Sequence, residues 1–484
     1  MSDGRNREAG EGAGPAPHAP LDLSVPARYH VVGVGGPGMN PIAHVLAAMG
    51  HRVSGSDTRE SAVLDRLRAD GVAVHVGHDG ALVTDVDAVT ASTAIPAANV
   101  ELVAAGDRGI PLLRRAGMLA SICAQAATVA VAGTHGKTTT SSLLALALVE
   151  AGFDPSFIIG GDVRQVGSGA RWTGGRWMVV EADESDGTFL ELPLHGTILT
   201  NVDTDHLDHF GSFAGIVAGF DAYLAQVPGP KVVCADDVTA ARLAAAHGAV
   251  TYGRSRDAGW RPGEVTVDAG VQRFTVTVGG TVAGAVELPL RGAHNVLNAT
   301  AALAMACELG ASFADAARGI AGFGGVRRRF DVRGVHRGVT LVDDYAHLPG
   351  EITAVLEAAA NGGDGFRRVV AVFQPNRYKR MAIMSSDYRD AFERADLAVV
   401  TEIYPSGEPI IPGVTGRWVV DAIAEAHPRA RVEWVPDRDE LVAFLAGELR
   451  DGDVCVSMGC GDVALLPDEV LDAMHRRDGG ERPA

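Results

Sequence analysis

The stretch "TVAVAGTHGKTTTSSLLALAL" limits the fold more than any other part of the chain. A short apolar run ends at Ala132, a loop with Gly133 and Gly136 follows, and a helix of small and apolar residues starts at the lysine. A strand–loop–helix unit of this kind belongs to α/β folds with a parallel sheet, because parallel strands need a crossover connection. The glycines let the backbone approach phosphate closely, Lys137 can set a point charge beside terminal phosphates, and Thr138 offers a hydroxyl to Mg2+. The loop is not a strict Walker sequence, since Val131 stands where the first glycine is expected.

A second glycine loop, "YHVVGVGGPGMN", lies nearer the start. Gly33, Gly35 and Gly38 make a G-x-G-x-x-G spacing after a strand, and Asp57 ends the next strand, where a dinucleotide fold places a ribose-binding acid. On its own this loop fits a nucleotide site, a nicotinamide enzyme included, or a merely structural turn.

At 484 residues the chain needs more than one core. Its pattern divides into a flexible tail over 1–27, rich in Gly, Ala, Pro and charge, and three α/β segments over 28–117, 118–326 and 327–484. In the middle segment "EVTVDAGVQRFTVTV" and "TVAGAVELPL" predict antiparallel strands added to a mostly parallel sheet. In the last, "VTLVDDY", "RRVVAVFQ", "LAVVTEIY", "ARVEWV" and "DVCVSMG" are the candidate strands. A formal net charge of -18 argues against broad nucleic-acid binding. The apolar runs are too short or too charged to span a membrane, and no secretory pattern opens the chain, so a cytoplasmic protein is expected. The five cysteines match no zinc or redox spacing, and Cys460 between two glycines reads as a small residue in a tight turn.

Acidic residues follow the next two strands. Glu181 ends "WMVVE", with Asp183, Glu184 and Asp186 beyond it, and "NVDTDHLDHF" carries Asp205, His206, Asp208 and His209. Oxygen ligands near a phosphate loop suit Mg2+, and His206 or His209 could ligate the metal or its hydration shell.

"GTHGKTTT", "EADESDG", "TNVDTDHLDHF", "HNVLNA", "VRRRF" and "DDYAHLP" together resemble the Mur ligase family, in order and spacing, from Tyr29 to the end. The likeness is nearest to the alanine-adding branch. It implies a Rossmann-like N-terminal domain that binds a UDP-sugar, a central P-loop ATPase-like domain, and a Rossmann-like C-terminal domain that contributes to ATP and amino-acid binding. The implied reaction is ATP-dependent ligation of L-alanine to the carboxylate of UDP-N-acetylmuramate through an acyl phosphate, in peptidoglycan precursor synthesis. A different amino acid joined to a related nucleotide-linked acid is the alternative. ATP and Mg2+ are the implied cofactors, and a monomer or weak homodimer with no nucleic-acid or membrane partner is expected.

By this resemblance Gly133, Thr134, His135, Gly136, Lys137, Thr138 and Thr139 form the phosphate loop, with Lys137 on the β- and γ-phosphates. Thr138, Glu181 and His206 serve the metals. Asn295 contacts adenine, with His294 and Asn298 fixing that segment, and Arg329 and Asp344 approach ATP with Tyr345 and His347 nearby. Gly35, Gly36, Gly38, Met39, Ser56 and Asp57 are candidates for the UDP moiety, and Asn376, Arg377 and Arg380 for the amino acid.

The chain departs from the family pattern at Leu348, where histidine is usual, and in "FQPNRYKRM". There Asn376 replaces a histidine, and Lys379 and Met381 stand where Ser and Thr are common, which leaves the amino-acid preference open. Asp221 occupies the region where sister ligases carry a carbamylated lysine, a feature the alanine-adding branch also lacks.

Overall fold

The computed structural model describes residues 20–92, 94–185, 187–205, 210–363 and 365–479. His206, with Asp186, Asp208 and His209, lies outside the described residues. Three sheets organise the chain, of 5, 11 and 6 strands.

The first sheet holds β1 (Arg28–Val32), β2 (Arg52–Asp57), β3 (Ala73–Val76), β4 (Ala88–Ala91) and β5 (Leu112–Arg114). The order is β3-β2-β1-β4-β5 and its pairings are parallel. This is the doubly wound order, with its switch point between β1 and β4, outside whose carboxyl ends ligands bind. β1 runs buried as Tyr29, Val31 and Val32, as both-sided burial of a parallel sheet demands.

The second sheet holds β6 (Ala127–Ala132), β7 (Ser156–Val163), β8 (Ser168–Arg171), β9 (Trp177–Glu181), β10 (Gly196–Leu199), β11 (Lys231–Cys234), β12 (Val250–Tyr252), β13 (Trp260–Pro262), β14 (Thr266–Asp268), β15 (Val271–Val278) and β16 (Thr281–Leu288). β6 lies between β10 and β9, so the lysine loop leaves the middle of the sheet. The expected antiparallel extension is present: β15 pairs antiparallel with β13, β14 and β16. A hairpin of β7 and β8 was not legible in the sequence. The helix Lys137–Glu150 packs against Ala293–Glu308, whose alanine-rich turns are buried and admit close approach.

The third sheet holds β17 (Asp331–His336), β18 (Val339–Asp344), β19 (Arg368–Phe373), β20 (Leu397–Val400), β21 (Val432–Trp434) and β22 (Asp453–Met458). Its order is β17-β18-β22-β19-β20-β21, parallel except for the edge strand β17.

Two compact units result: the described part of Met1–Thr128 with Asp186–Leu194, and the described part of Val129–Ser185 with His195–Ala484. The second and third sheets therefore share one unit, and the helix Arg115–Cys123 belongs with the first. No described helix is long and apolar enough to cross a membrane.

Candidate active site

The phosphate loop is held open by its glycines and framed from β10. Gly133 and Gly136 have φ of 120° and 83°, and a Cβ on Gly136 would lie 2.8 Å from Asn298 Oδ1. Only glycine suits such a position. Asn201 accepts from the His135 amide at 2.9 Å and donates to the His135 carbonyl at 3.0 Å, while Thr200 Oγ1 donates to that carbonyl at 2.6 Å. Asn298 also donates to Asn295 Oδ1 at 3.0 Å, and Asn295 Nδ2 donates to the Arg291 carbonyl at 2.7 Å. The "HNVLN" helix thus underlies the loop, in keeping with a fixing role for Asn298.

Lys137 opens the helix. Its ammonium donates to the carbonyls of Gly133 at 2.6 Å and Thr134 at 3.2 Å, and to both Glu184 oxygens at 3.0 Å. Burial alone would lower its pKa, but the carboxylates of Glu184, Asp183 and Glu181 outweigh burial and hold it above the usual lysine value. Thr138 and Thr139 are buried in the first turn. Glu181 accepts from the Gly160 amide at 2.7 Å and bonds the Thr138 side chain, and burial raises its pKa against the opposing charges of Lys137 and Arg329.

Residues of the third sheet meet this loop. Arg329 donates to Thr138 Oγ1 at 3.4 Å. Asp344 accepts from the Phe330 amide at 2.7 Å and the Ala346 amide at 2.8 Å, and so fixes the backbone on which Arg329 sits. Burial raises the Asp344 pKa, with Arg329 opposing. Tyr345 lies under the guanidiniums of Arg328 and Arg329, at 4.9 and 5.4 Å from its ring centre. Burial lowers the His294 imidazole to about 4, with the charge of Arg329 adding to the effect. His294 is therefore neutral at physiological pH and cannot serve as a cation.

His135 is not a free phosphate ligand in this arrangement. Its Nδ1 lies 3.2 Å from Glu351 Oε1 and its Nε2 lies 3.2 Å from Asp203 Oδ2. Burial alone would lower its pKa, yet the two carboxylates raise it to about 9. Glu351 also accepts from the amides of His347 at 2.9 Å and Leu348 at 3.1 Å. The His347 ring is half-buried, which lowers its pKa, and its Nδ1 lies 3.1 Å from the Tyr345 carbonyl.

The amino-acid candidates sit one helix further on. Arg377 has a φ of 62°, a strained value for a non-glycine residue, just before the helix Tyr378–Met384. Arg380 donates to Asn376 Oδ1 at 3.1 Å and to Asp205 Oδ1 at 3.3 Å. Its guanidinium is engaged by this chain's own oxygens here, so a substrate carboxylate would have to share or displace them. Asn376, in the place of the expected histidine, is buried and holds Arg380. The Cys460 thiol is pushed up by burial, as befits a packing residue and not a nucleophile.

In the first unit the glycine loop closes on β2: Gly33 and Val34 amides donate to the Ser56 carbonyl at 2.9 Å, and Gly35 donates to Asp57 Oδ2 at 2.9 Å. Gly36 donates to the Gly33 carbonyl at 3.0 Å, and a Cβ on Gly38 would meet Arg115 at 3.0 Å. The Ser56 hydroxyl turns inward to Glu101 at 2.6 Å and Met39 is buried. Both side chains point into the protein and support the loop.

Sequence reasoning missed Glu184 as the partner of Lys137, and Gly160, Asn201, Asp203 and Glu351. Glu184, Asn201 and Asp203 lay inside quoted motifs without an assigned role, and Glu351 carried a local signal as an acid in the first turn of the helix Pro349–Asn361.

Three domains of one family match along the chain: the Mur ligase catalytic domain over residues 28–127, the middle domain over 131–306 and the glutamate ligase domain over 328–461. The chain belongs to the Mur ligase family. Among its relatives, a UDP-N-acetylmuramate–L-alanine ligase of Acidothermus cellulolyticus is 47% identical, the match covering 95% of this chain and 98% of that one. A ligase of the same name from Rhizobium meliloti is 41% identical over 93% of this chain and 98% of its own. The crystal structure of a UDP-N-acetylmuramate–alanine ligase from Thermotoga maritima superposes with a TM-score of 0.80 at 27% identity, covering 93% of this chain and all (100%) of that one. The three-domain Mur ligase architecture expected from the motifs is therefore the observed one.

Proposed function

We infer that this chain is an ATP-dependent carboxylate–amine ligase that joins L-alanine to the carboxylate of UDP-N-acetylmuramate, giving ADP and phosphate, in peptidoglycan precursor synthesis. One observation carries the reading: Lys137, Thr138, Glu181 and Arg329 converge on a single glycine loop in a chain 47% identical to an alanine-adding ligase. The name carried by the relatives speaks against the alternative of a different amino acid.

A carboxylate cannot expel oxide, so its oxygen first attacks the γ-phosphorus of ATP. The bond from that phosphorus to the bridging oxygen breaks, and ADP leaves with the electron pair. The amine of L-alanine then attacks the acyl carbon, loses a proton, and phosphate departs. Lys137, freed from Glu184, holds the β- and γ-phosphates, and Arg329 lies on the transferring group as charge spreads over its oxygens. Tyr345 stacks beneath Arg329 and Asp344 sets its backbone.

Mg2+ fits the residues present, since the Thr138 hydroxyl and the Glu181 carboxylate are adjacent oxygen donors of the kind it prefers. When bound there it offsets the phosphate charge. His206 is the proposed ligand for a second ion. Asn295 is assigned to adenine, Asn376, Arg377 and Arg380 to the amino acid, with His347 beside them, and Gly35, Gly36, Gly38 and Asp57 to the UDP moiety. The reading includes segment boundaries at 28–117, 118–326 and 327–484, a cytoplasmic location, and a monomer or weak homodimer acting on no nucleic acid or membrane.

The test is magnesium-dependent phosphate release from ATP with UDP-N-acetylmuramate, scanned across amino acids with the product mass measured. The expected result is turnover that favours L-alanine and the mass of the UDP-muramoyl-alanine product. Turnover confined to another amino acid would overturn the substrate assignment while keeping the ligase chemistry.

A further inference from the structure

Glu351 stands out because its two oxygens face different parts of the fold. Oε1 lies against His135 on the phosphate loop, 216 residues away in sequence. Oε2 accepts from the amides of His347 and Leu348 and lies 3.2 Å from His347 Nδ1. The carboxylate is only 16% exposed, and Arg329 adds to the positive field on it.

We propose that Glu351 is a positioning residue for the ligation: it clasps His135 with one oxygen and the His347–Leu348 turn with the other, and so sets the Arg329–Asp344 segment in register with Lys137 and Thr138. The inference rests on the ligase reading and adds a residue that neither the motifs nor the substrate assignment require. The charge states agree with the geometry. Burial opposes ionisation of Glu351, but His347 and His135 hold its pKa well below the ordinary glutamate value. His135 is correspondingly a cation, and burial lowers the His347 pKa against the pull of Glu351. One carboxylate thus holds a charged imidazole on the loop and lies against a second imidazole beside Tyr345. His135 has Asp203 as its second partner, and His347 faces Arg380 and Asp205 as well.

A helix cap alone would explain the amide contacts, so the test separates the two roles. Glu351→Gln keeps an acceptor for the His347 and Leu348 amides and removes the charge that His135 sees. The expected result has four parts. The His135 ring pKa, followed by NMR in the full chain, falls by at least about one unit. The KM for ATP rises about tenfold and ADP binding, measured by calorimetry without amino acid, weakens in step, about 1.4 kcal/mol. Binding of UDP-N-acetylmuramate and the thermal midpoint stay near those of the unaltered chain. His135→Gln combined with Glu351→Gln is no worse than Glu351→Gln alone.

Unchanged ADP binding and ATP KM in Glu351→Gln would overturn the proposal, as would multiplicative losses in the double variant. An equal loss of UDP-sugar binding would also overturn it, by marking a fold-wide role. Should Glu351→Gln not fold, Glu351→Asp, which keeps the charge and shortens the reach, is read by the same measurements. Since ADP binding and the His135 titration need no amino acid, they fail or succeed independently of the L-alanine assignment.

Discussion

Lys137 is saturated by its own chain before any nucleotide arrives, with two carbonyls and both oxygens of Glu184 around its ammonium. The arrangement keeps a half-buried lysine charged, and nucleotide binding becomes an exchange of one anion for another. Lys137→Met removes the donor proposed for the β- and γ-phosphates and should lower kcat about 10²–10³-fold, with UDP-N-acetylmuramate affinity, measured by calorimetry, unchanged. His135 makes a prediction of the opposite kind, in stability. Its folded pKa, about 9, lies above the ordinary histidine value of 6.5. Its contribution is therefore fully present below 6.5 and is lost as pH rises through 9, at most ~3 kcal/mol. Urea unfolding followed across that interval should show a decline that His135→Asn lacks. The lysine and its threonine were legible because a phosphate loop needs them at fixed offsets. Glu184 was visible only as one acid among several, and nothing in a linear string told which one faced the lysine.

The elements themselves were largely readable. "WMVVE" is β9 and "RRVVAVF" contains β19, because a strand buried on both faces must be continuously apolar. The β7–β8 hairpin escaped notice: β7 carries Gly160 and Gly161 in its middle, and glycine there reads as a break. The structure gives a reason for Gly160, since a Cβ would lie 2.9 Å from Glu181 Oε2 and spoil the amide contact that seats that carboxylate. Gly136→Ala puts a Cβ in the left-handed region against Asn298. It should cost about 1–3 kcal/mol of local strain and weaken ADP binding on calorimetry by about tenfold or more. β19 and β22 are braced by a different device. Arg368 grips Asp453 at 3.0 and 2.6 Å and reaches Glu448 at 2.8 Å, nearly out of water. Asp453→Asn leaves a buried guanidinium undercompensated and should lower unfolding stability by about 3 kcal/mol in denaturant titration, with KM for ATP unaltered.

What joins the second and third sheets at the site is a few polar bridges: Arg329 to Thr138, His135 to Glu351, and Arg380 to Asp205. None was legible in the sequence, since each spans more than 170 residues and depends on a mutual orientation that no local pattern encodes. Bridges of this kind can be remade in each turnover, unlike an interlocked apolar core, and that suits the chemistry. An acyl phosphate must be shielded from water, yet the site has to open for ATP, the sugar and the product. Arg380 is the bridge nearest the place proposed for the amine, held by Asn376 on one side and Asp205 on the other. Its removal should therefore damage retention of the intermediate as well as amino-acid binding. In Arg380→Ala, the KM for L-alanine should rise at least about tenfold, while the KM for ATP stays within about twofold. Phosphate released per molecule of ligated product should climb above one, as acyl phosphate is lost to water. Borohydride added in the absence of L-alanine should trap the intermediate as the alcohol in the unaltered enzyme and trap less of it in the variant. A variant that loses turnover but keeps one phosphate per product would show that Arg380 serves the amino acid alone and that the seal lies elsewhere, at Glu351 or Arg329.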